Sequence, residues 1–220
     1  MAAGEGARKG GISFESQHMF PIIKKWLYSE RDIFLRELVS NAVDAVTKLK
    51  RLSSLGEYEA PEGEAYRIDV GFDKTAKTIS ISDNGIGMTE DELERYICKV
   101  ALSGALEFVE KYEGKGGEGG SGIIGHFGLG FYSAFMVADE VEVITKSYTD
   151  APAVRWVCGE DGDYTVYTDG IERSRGTTVI LHVTNDGEEY LSEWKLREVI
   201  AKYCSFMPVE IYLTDEEKAD

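Results

Sequence analysis

The sequence predicts an α+β protein, a two-layer α/β sandwich in which a mostly antiparallel mixed sheet carries helices on one face. Apolar residues recur at helical spacing at the start of the chain and near its end, whereas the stretches between them alternate like strands. Most of these strands follow one another closely enough to form hairpins, which favours antiparallel pairing. No internal repeat or proline-rich linker divides the chain, so one main domain is expected.

The helices are predicted from apolar periodicity and from residues that start helices. Residues 16–28 and 31–52 each place apolar side chains along one side. Thr89 is a good N-cap, and the acidic residues directly after it suit the first turn of a helix. Further helices are predicted at 105–112, 128–136 and 192–204.

The strands are predicted from alternation of apolar and polar side chains. The clearest pair is 66–72 and 78–83, which a short turn at 73–76 joins into a hairpin. The remaining strands are predicted at 141–147, 154–158, 164–168, 177–183 and 209–213.

Composition narrows the possible partners and the compartment. The 220 residues carry a net charge of −16, which argues against nucleic-acid backbones and anionic membrane surfaces as partners. Cys98, Cys158 and Cys204 form neither a CxxC motif nor a Cys/His cluster at zinc spacing, so a reducing, cytoplasmic location is expected. No apolar run reaches the length of a membrane span.

The domain is expected to occupy residues 14–214. Residues 1–13 lack an apolar signal-peptide core and are interpreted as a flexible extension, and 215–220 as an acidic tail. Inside the domain, the segment 113–122 carries six glycines. So many glycines cannot hold a packed element, and this segment is expected to be mobile.

A polar stripe along the helix at 31–52 is the first candidate site. Glu37, Asn41, Asp44 and Lys48 return to nearly one direction, within about 60° at 3.6 residues per turn. The rest of the helix is strongly apolar, so these groups need partners if the helix is buried. Such a row suits a metal-bound polyphosphate and an activated water. A solvated helix face with loose ion pairs is the competing interpretation.

Two glycine-containing segments are the other candidates. The run DNGIGM, from Asp83 to Met88, follows a strand directly, and a carboxylate there can accept a hydrogen bond from an exocyclic amine such as that of adenine. The run GHFGLGF, from Gly125 to Phe131, leads into a helix whose free N–H groups suit phosphate. Its GxxGxG spacing is neither a dinucleotide fingerprint nor a P-loop. A simple turn and a glycine-padded loop are the competing interpretations.

The three segments together, ELVSNAVDA, DNGIGM and GHFGLGFYS in this order, resemble the ATP-binding fold shared by type II gyrases, heat-shock chaperones, histidine kinases and MutL-type repair proteins. Longer runs resemble the ninety-kilodalton heat-shock protein family, in its bacterial branch, over about residues 14–214. These runs are YSERDIFLRELVSNAVDA from Tyr28, SDNGIGMT from Ser82, IGHFGLGFYSAFMVAD from Ile124, RGTTVILH from Arg175 and CSFMPVEIYL from Cys204.

The resemblance implies roles for the matching residues. Glu37 matches the general base that acts on water, Asn41 the Mg²⁺ ligand, and Asp83 the carboxylate that reads adenine. The other matching positions are expected to line the pocket for ATP or ADP: Asp44 and Lys48 near the ribose and phosphates, Gly87 and Thr177 in a water network beside Asp83, Met88 as a wall of the base pocket, and Gly125, Gly128, Gly130 and Phe131 in the phosphate loop. Residues from about 101 to 127 match the lid that folds over nucleotide.

The sequence departs from the family pattern in this lid. Leu102 stands where many members have a lysine near the nucleotide, and no clean match for a polar lid residue is found around Tyr96. A direct lid-lysine contact is therefore not expected, although Lys99 is close enough in sequence to be considered.

The resemblance implies an N-terminal ATPase domain of a chaperone that hydrolyses ATP slowly to drive a conformational cycle acting on client proteins. A following middle domain would supply the arginine for the transition state, and the full-length protein would be a homodimer whose isolated domain is monomeric. Two alternatives stay open: a MutL- or gyrase-type ATPase of the same fold, and a nucleotide-sensing interaction module without useful catalysis.

Overall fold

A mixed β-sheet forms one layer of the computed structural model, which describes the backbone of residues 7–11 and all of residues 31–98 and 130–218, with the backbone of Lys99. Among these residues, eight strands lie in the order β1-β6-β5-β4-β7-β3-β2-β8. The strands are Ala7–Gly11 (β1), Arg67–Asp73 (β2), Thr78–Asp83 (β3), Ala138–Lys146 (β4), Val154–Gly159 (β5), Asp163–Tyr167 (β6), Gly176–Val183 (β7) and Glu210–Asp215 (β8).

Every neighbouring pair in this sheet is antiparallel except β2 and β8, which run parallel. The predicted mostly antiparallel mixed sheet is therefore confirmed. The predicted hairpins β2–β3, β4–β5 and β5–β6 are present, and β7 returns to lie between β3 and β4. This crossover brings residues from three separate parts of the chain side by side.

Helices form the second layer. The α-helices are Ile33–Ser54 (α1), Glu90–Leu93 (α2) and Glu193–Tyr203 (α3). A π-helical turn, Glu94–Lys99, continues α2, and 3₁₀ helices cover Gly130–Met136, Asn185–Tyr190 and Glu216–Lys218. The predicted helix at 128–136 is thus a 3₁₀ helix over its described part. The predicted helices at 16–28 and 105–112, and the lid at 101–127, lie outside the described residues.

Alternation places one face of the sheet in the core. Ile79 and Ile81 of β3 are buried against α1, whereas Ser80 and Ser82, which alternate with them, face the other side and are only half-buried. The apolar side of α1 supplies Phe34, Leu38, Val39 and further residues to the same core. The helical layer therefore covers one face, as predicted.

The N-cap predicted at Thr89 is present, and it forms part of a capping box. The Thr89 hydroxyl accepts from the Glu92 N–H, and the Glu92 carboxylate accepts from the Thr89 N–H. These bonds satisfy backbone donors that a helix start leaves free. In the described part of the chain, no helix has both the length and the apolar character needed to cross a membrane.

Both ends of the predicted domain need correction. Part of the extension predicted to be flexible, Ala7–Gly11, forms the edge strand β1 and pairs antiparallel with β6. Its sequence, ARKGG, has no strand-like alternation, so the backbone pairing with β6 is what defines it. Part of the predicted acidic tail also packs on the domain. Glu217 Oε1 accepts from the Thr75 N–H at 2.7 Å, and Glu216 Oε1 accepts from the Ser80 hydroxyl at 2.5 Å.

Candidate functional site

Glu37 is the most enclosed member of the polar stripe on α1. Its side chain is 12% exposed, and its Oε1 accepts hydrogen bonds from Arg36 Nε at 3.0 Å and Nη2 at 2.8 Å. Asn41, Asp44 and Lys48 lie on the same helix edge but are exposed. Helical spacing fixes their shared direction without fixing what lies opposite, so the role of these three at the site stays a prediction.

The end of the glycine-rich segment meets Glu37. A Cβ built on Gly130 would lie 2.6 Å from Glu37 Oε2, which is too close for an undisturbed side chain. Gly130 begins the 3₁₀ helix that packs along α1. The structure thus brings together the stripe and the described end of the predicted phosphate loop. Gly125 and Gly128 lie outside the described residues.

Phe131 contributes to the core rather than to an open cleft. Its ring packs edge-on against Trp156, with ring centroids 5.7 Å apart, and the residue is 7% exposed. Any contact of Phe131 with a phosphate would therefore come from its backbone. The neighbouring Tyr132 hydroxyl donates to the Ile97 carbonyl at 2.9 Å and ties this 3₁₀ helix to the π-helical turn.

The turn that follows β3 lies directly on α1. The Ile86 N–H donates to the Ala45 carbonyl at 3.1 Å, and a Cβ on Gly85 would be 2.5 Å from the Ala45 carbonyl carbon. Only a glycine permits so close an approach of two backbones. Because Ala45 lies between Asn41 and Lys48 in α1, the two strongest sequence signals share one location.

Asp83 points from the end of β3 into the buried side of the sheet. It is 7% exposed, and its Oδ1 accepts from the Gly85 N–H at 2.8 Å. Burial raises the pKa of Asp83 to about 6, against the lowering effects of the Gly85 hydrogen bond and the nearby Arg173. At neutral pH the carboxylate is ionised, so it acts as an acceptor only.

A row of three side chains crosses adjacent strands at this point. Asp83 of β3 is in register with Thr177 of β7, and Thr177 is in register with Thr145 of β4. The Thr145 and Thr177 hydroxyl oxygens are 2.9 Å apart, and Thr145 Oγ1 also accepts from the Met88 N–H at 2.9 Å. The row therefore connects the Asp83 carboxylate, through the sheet, to the far end of the DNGIGM turn.

Gly87 adopts a backbone conformation that glycine favours. Its φ is +62°, and a Cβ there would lie 1.8 Å from the Lys146 carbonyl oxygen. The sharp turn lets Met88 pack against the core while its N–H reaches Thr145. Thr177 thus lies next to Asp83, and Met88 is joined to Thr177 through Thr145, whereas their sharing of one nucleotide pocket stays a prediction.

Four residues of this site were not predicted from the sequence. Thr145 has a signal that could have been used, since it is a polar residue at an inward position of β4, following Val141 and Val143. Arg36 could have been suspected from its position beside Glu37. Arg173 and Arg175, which contact the turn after β3, have no local sequence signal of this role. Of the two lid departures, Tyr96 is 52% exposed and Leu102 lies outside the described residues.

The chemistry of these side chains suits a nucleotide that binds together with a metal ion. Asn41 offers an amide oxygen and Glu37 a carboxylate, both suitable for Mg²⁺ or its bound water. Asp83 offers a buried acceptor for an amine.

A second group with metal-binding side chains, Glu140, Glu142 and His182, lies elsewhere on the sheet. There, Glu142 is already engaged by His182 at 2.7 Å and by Arg155, so the group is satisfied without an ion.

Comparison with known proteins agrees with this arrangement. Residues 29–168 match the family described as histidine kinase-, DNA gyrase B- and HSP90-like ATPase. The chain is 48% identical over 206 residues to the chaperone protein HtpG of Porphyromonas gingivalis, covering 93% of this chain and 29% of the relative. It is 49% identical over 207 residues to HtpG of Bacteroides thetaiotaomicron, with the same two coverages. It is 45% identical over 209 residues to HtpG of Actinobacillus pleuropneumoniae, covering 93% of this chain and 33% of the relative.

These matches confirm the resemblance to an HtpG-type ATPase domain, and such a domain implies nucleotide binding. The chain spans about a third or less of the length of the relatives it matches. With the family match extending over most of its length, the chain belongs to the histidine kinase-, DNA gyrase B- and HSP90-like ATPase family.

Proposed function

We propose that this chain binds Mg-ATP between α1 and the turn that follows β3, and hydrolyses it slowly. One observation supports this most strongly. The backbone contact between Ile86 and Ala45, and the contact of Gly130 with Glu37, bring all three sequence signals onto one helix. A set of unrelated turns would not be expected to converge in this way.

Each residue has a distinct task in this proposal. Asp83 accepts a hydrogen bond from the adenine amine, and Thr177, Gly87 and Met88 shape the space beside it. Glu37 orients water and accepts its proton. Asn41 holds Mg²⁺, which neutralises charge on the phosphates when bound. Remaining contacts to the nucleotide are assigned to Asp44 and Lys48, and to the loop of Gly125, Gly128, Gly130 and Phe131.

The proposal extends to the longer protein of which HtpG relatives are examples. There, nucleotide turnover would drive a conformational cycle that assists client proteins, in a homodimer located in the cytoplasm. Mg²⁺ as the metal and a monomeric state for the isolated domain belong to the same proposal. The high identity to proteins called chaperones supports it. The net charge of −16 argues against nucleic acid as a partner.

The assignment of Glu37 and Asp83 is tested by two substitutions with opposite signatures. Glu37→Ala should lower ATP turnover by about a hundredfold or more, as expected for loss of a general base, and leave ADP affinity unchanged. Asp83→Asn should weaken ADP binding by about 1–3 kcal/mol, or about 5- to 150-fold, because an amide can present a donor where an acceptor is needed.

Turnover is measured by phosphate release and affinity by calorimetry. Equal turnover of Glu37→Ala and wild type would remove Glu37 from the role of base. Undiminished ADP binding by Asp83→Asn would remove Asp83 from base recognition. Absence of any ADP binding by the wild-type chain would overturn the proposed function as a whole.

A nucleotide-sensing module is the second candidate, and one contact favours it. Arg36 donates twice to a single oxygen of Glu37, which ties that carboxylate to a neighbouring side chain on its own helix. A sensor would bind ADP and ATP as strongly as an enzyme does, but its turnover would be the same with and without Glu37.

A further inference from the structure

The Arg175 guanidinium lies behind the turn that follows β3. Arg175 Nη2 donates to the Asn84 carbonyl at 2.7 Å, and Nε donates to the Gly85 carbonyl at 3.0 Å. On its other side, Arg175 donates to the Tyr58 hydroxyl and forms an ion pair with Glu64. The side chains of Arg175 and Glu64 are 15% and 14% exposed, so this arrangement is held largely away from solvent.

Arg173 contacts the same turn one carbonyl earlier. Its Nη2 donates to the Asp83 carbonyl at 3.1 Å, and its Nε donates to the Gly176 carbonyl at 3.1 Å. Its Nη1 bonds to the Thr178 hydroxyl. A Cβ on Gly176 would lie 2.1 Å from the Asp83 carbonyl oxygen, so the segment that carries both arginines presses against the turn.

Four consecutive carbonyls of the turn thus have donors. Arg173 donates to the Asp83 carbonyl, and Arg175 donates to the carbonyls of Asn84 and Gly85. The Tyr148 N–H donates to the Ile86 carbonyl at 2.9 Å. Three of the four carbonyls accept from the guanidinium groups of two arginines rather than from the backbone of a neighbouring strand. Donors of this kind fix the direction of each peptide unit and therefore fix where the Asp83 side chain and the glycines point.

We propose that Arg173 and Arg175 are positioning residues for nucleotide binding, which hold the turn from Asp83 to Ile86 in the conformation that receives the base. This inference rests on the proposed function, because it assigns a task to residues behind the same pocket. Neither arginine touches the nucleotide in this proposal. They act through the backbone of the turn and through their positive charge near a buried carboxylate.

The geometry of the guanidinium is essential to this role. Its planar fork can donate from Nε and Nη2 to two adjacent carbonyls at once, whereas a lysine ammonium is a single point charge on a flexible stem. A substitution to lysine therefore keeps the charge and most of the stem but loses the fixed spacing of the two bonds. The charge itself also counts, since a nearby cation favours the ionised carboxylate against the effect of burial.

The test compares ADP affinity with the stability of the unliganded protein. Arg175→Lys should weaken ADP binding by about tenfold or more, which is the effect of losing a charge-assisted hydrogen bond that the bound state needs. Arg155→Lys is the matched control. Arg155 pairs with Glu142 elsewhere on the sheet at 2.6 Å and does not contact the turn, so its replacement should leave ADP affinity unchanged even if the Tm falls.

A second variant separates positioning from general stability. Arg173→Met removes the charge and keeps an apolar stem, so the pH at which adenosine affinity falls to half should move upward from its wild-type value. A purely structural role would lower the Tm and leave this midpoint where it is.

Should Arg175→Lys fail to fold, Glu64→Gln replaces it. That change loosens Arg175 from behind without touching the turn, and it should still weaken ADP binding measurably.

The outcomes are distinct. Wild-type binding of ADP, weakened by Asp83→Asn but unchanged in Arg175→Lys and Arg173→Met, would overturn this inference and leave the proposed function standing. Failure of the wild-type chain to bind ADP would overturn both. A loss of affinity in Arg155→Lys equal to that in Arg175→Lys would also overturn the inference, because distance from the turn would then make no difference.

Discussion

Replacing Thr145 with valine tests whether the row that joins β3, β7 and β4 supports the pocket. Valine has nearly the same shape, so packing is kept and only the hydroxyl is lost. That hydroxyl accepts from the Met88 N–H at 2.9 Å and lies 2.9 Å from the Thr177 hydroxyl. Thr145 is fully buried, so water cannot replace the lost partner at that position.

The expected cost follows from the group left without a partner. An unpaired buried donor costs about 1–3 kcal/mol, and since Met88 is only half-buried we expect about 1–2 kcal/mol of unfolding free energy. For a domain of this size, that corresponds to a fall in Tm of about 2–8 °C. ADP binding should weaken as well, because Thr145 holds both the Met88 N–H and Thr177, and Thr177 lies next to Asp83.

Thermal unfolding followed by circular dichroism measures the change, with calorimetry for ADP. Thr165→Val is the control, since it makes the same chemical change in β6 at a half-buried hydroxyl without a hydrogen bond among the described residues. The reasoning is refuted if Thr145→Val lowers the Tm no more than Thr165→Val and binds ADP as the wild type does.

Two further predictions concern the proposed catalytic carboxylate, Glu37, and the proposed base pocket at Asp83. Gly130→Ala should displace the Glu37 carboxylate, because the new Cβ would lie 2.6 Å from its Oε2. We expect ATP turnover to fall by about tenfold to a hundredfold with little change in Tm. A turnover equal to that of the wild type would contradict this. Asp83, with a pKa of about 6, should lose its acceptor role as the pH falls through 6, so adenosine affinity should drop there. Because folding raises this pKa, the ionised carboxylate costs stability above pH 6, and this cost is relieved as the pH falls toward the ordinary value. Adenosine titrations at pH values on either side of 6 measure the drop, and a flat profile would count against it.

The sheet was largely predictable because one of its faces is buried. Alternation in β2 and β3 reflects burial on one side only, and this is a pattern that the sequence carries locally. The edge strand β1 was missed because it forms through backbone pairing with β6, for which ARKGG gives no side-chain signal. The segment Gly130–Met136 is 3₁₀ rather than α-helical, a difference in hydrogen bonding that apolar spacing over so short a stretch does not resolve.

The site was predictable where a motif carries its own geometry. Asp83 and the glycines after it follow a strand directly, so their position could be inferred from neighbouring residues alone. Arg175 is different, since its contacts with Asn84 and Gly85 join residues far apart in sequence and involve backbone carbonyls on one side. A contact of that kind leaves no pattern in a single sequence. The exposure of Asn41, Asp44 and Lys48 could not be predicted for a related reason, because it depends on what packs opposite the helix.

The parallel pairing of β2 with β8 has a consequence for the order in which the protein is made. Arg67 of β2 is in register with Glu210 of β8, so this edge of the sheet can close only when nearly the whole domain has left the ribosome. Until then, β2 offers unpaired backbone groups to any other nascent chain. We therefore expect chains shortened before position 210 to aggregate during synthesis, even though every residue of the candidate pocket is already present in them.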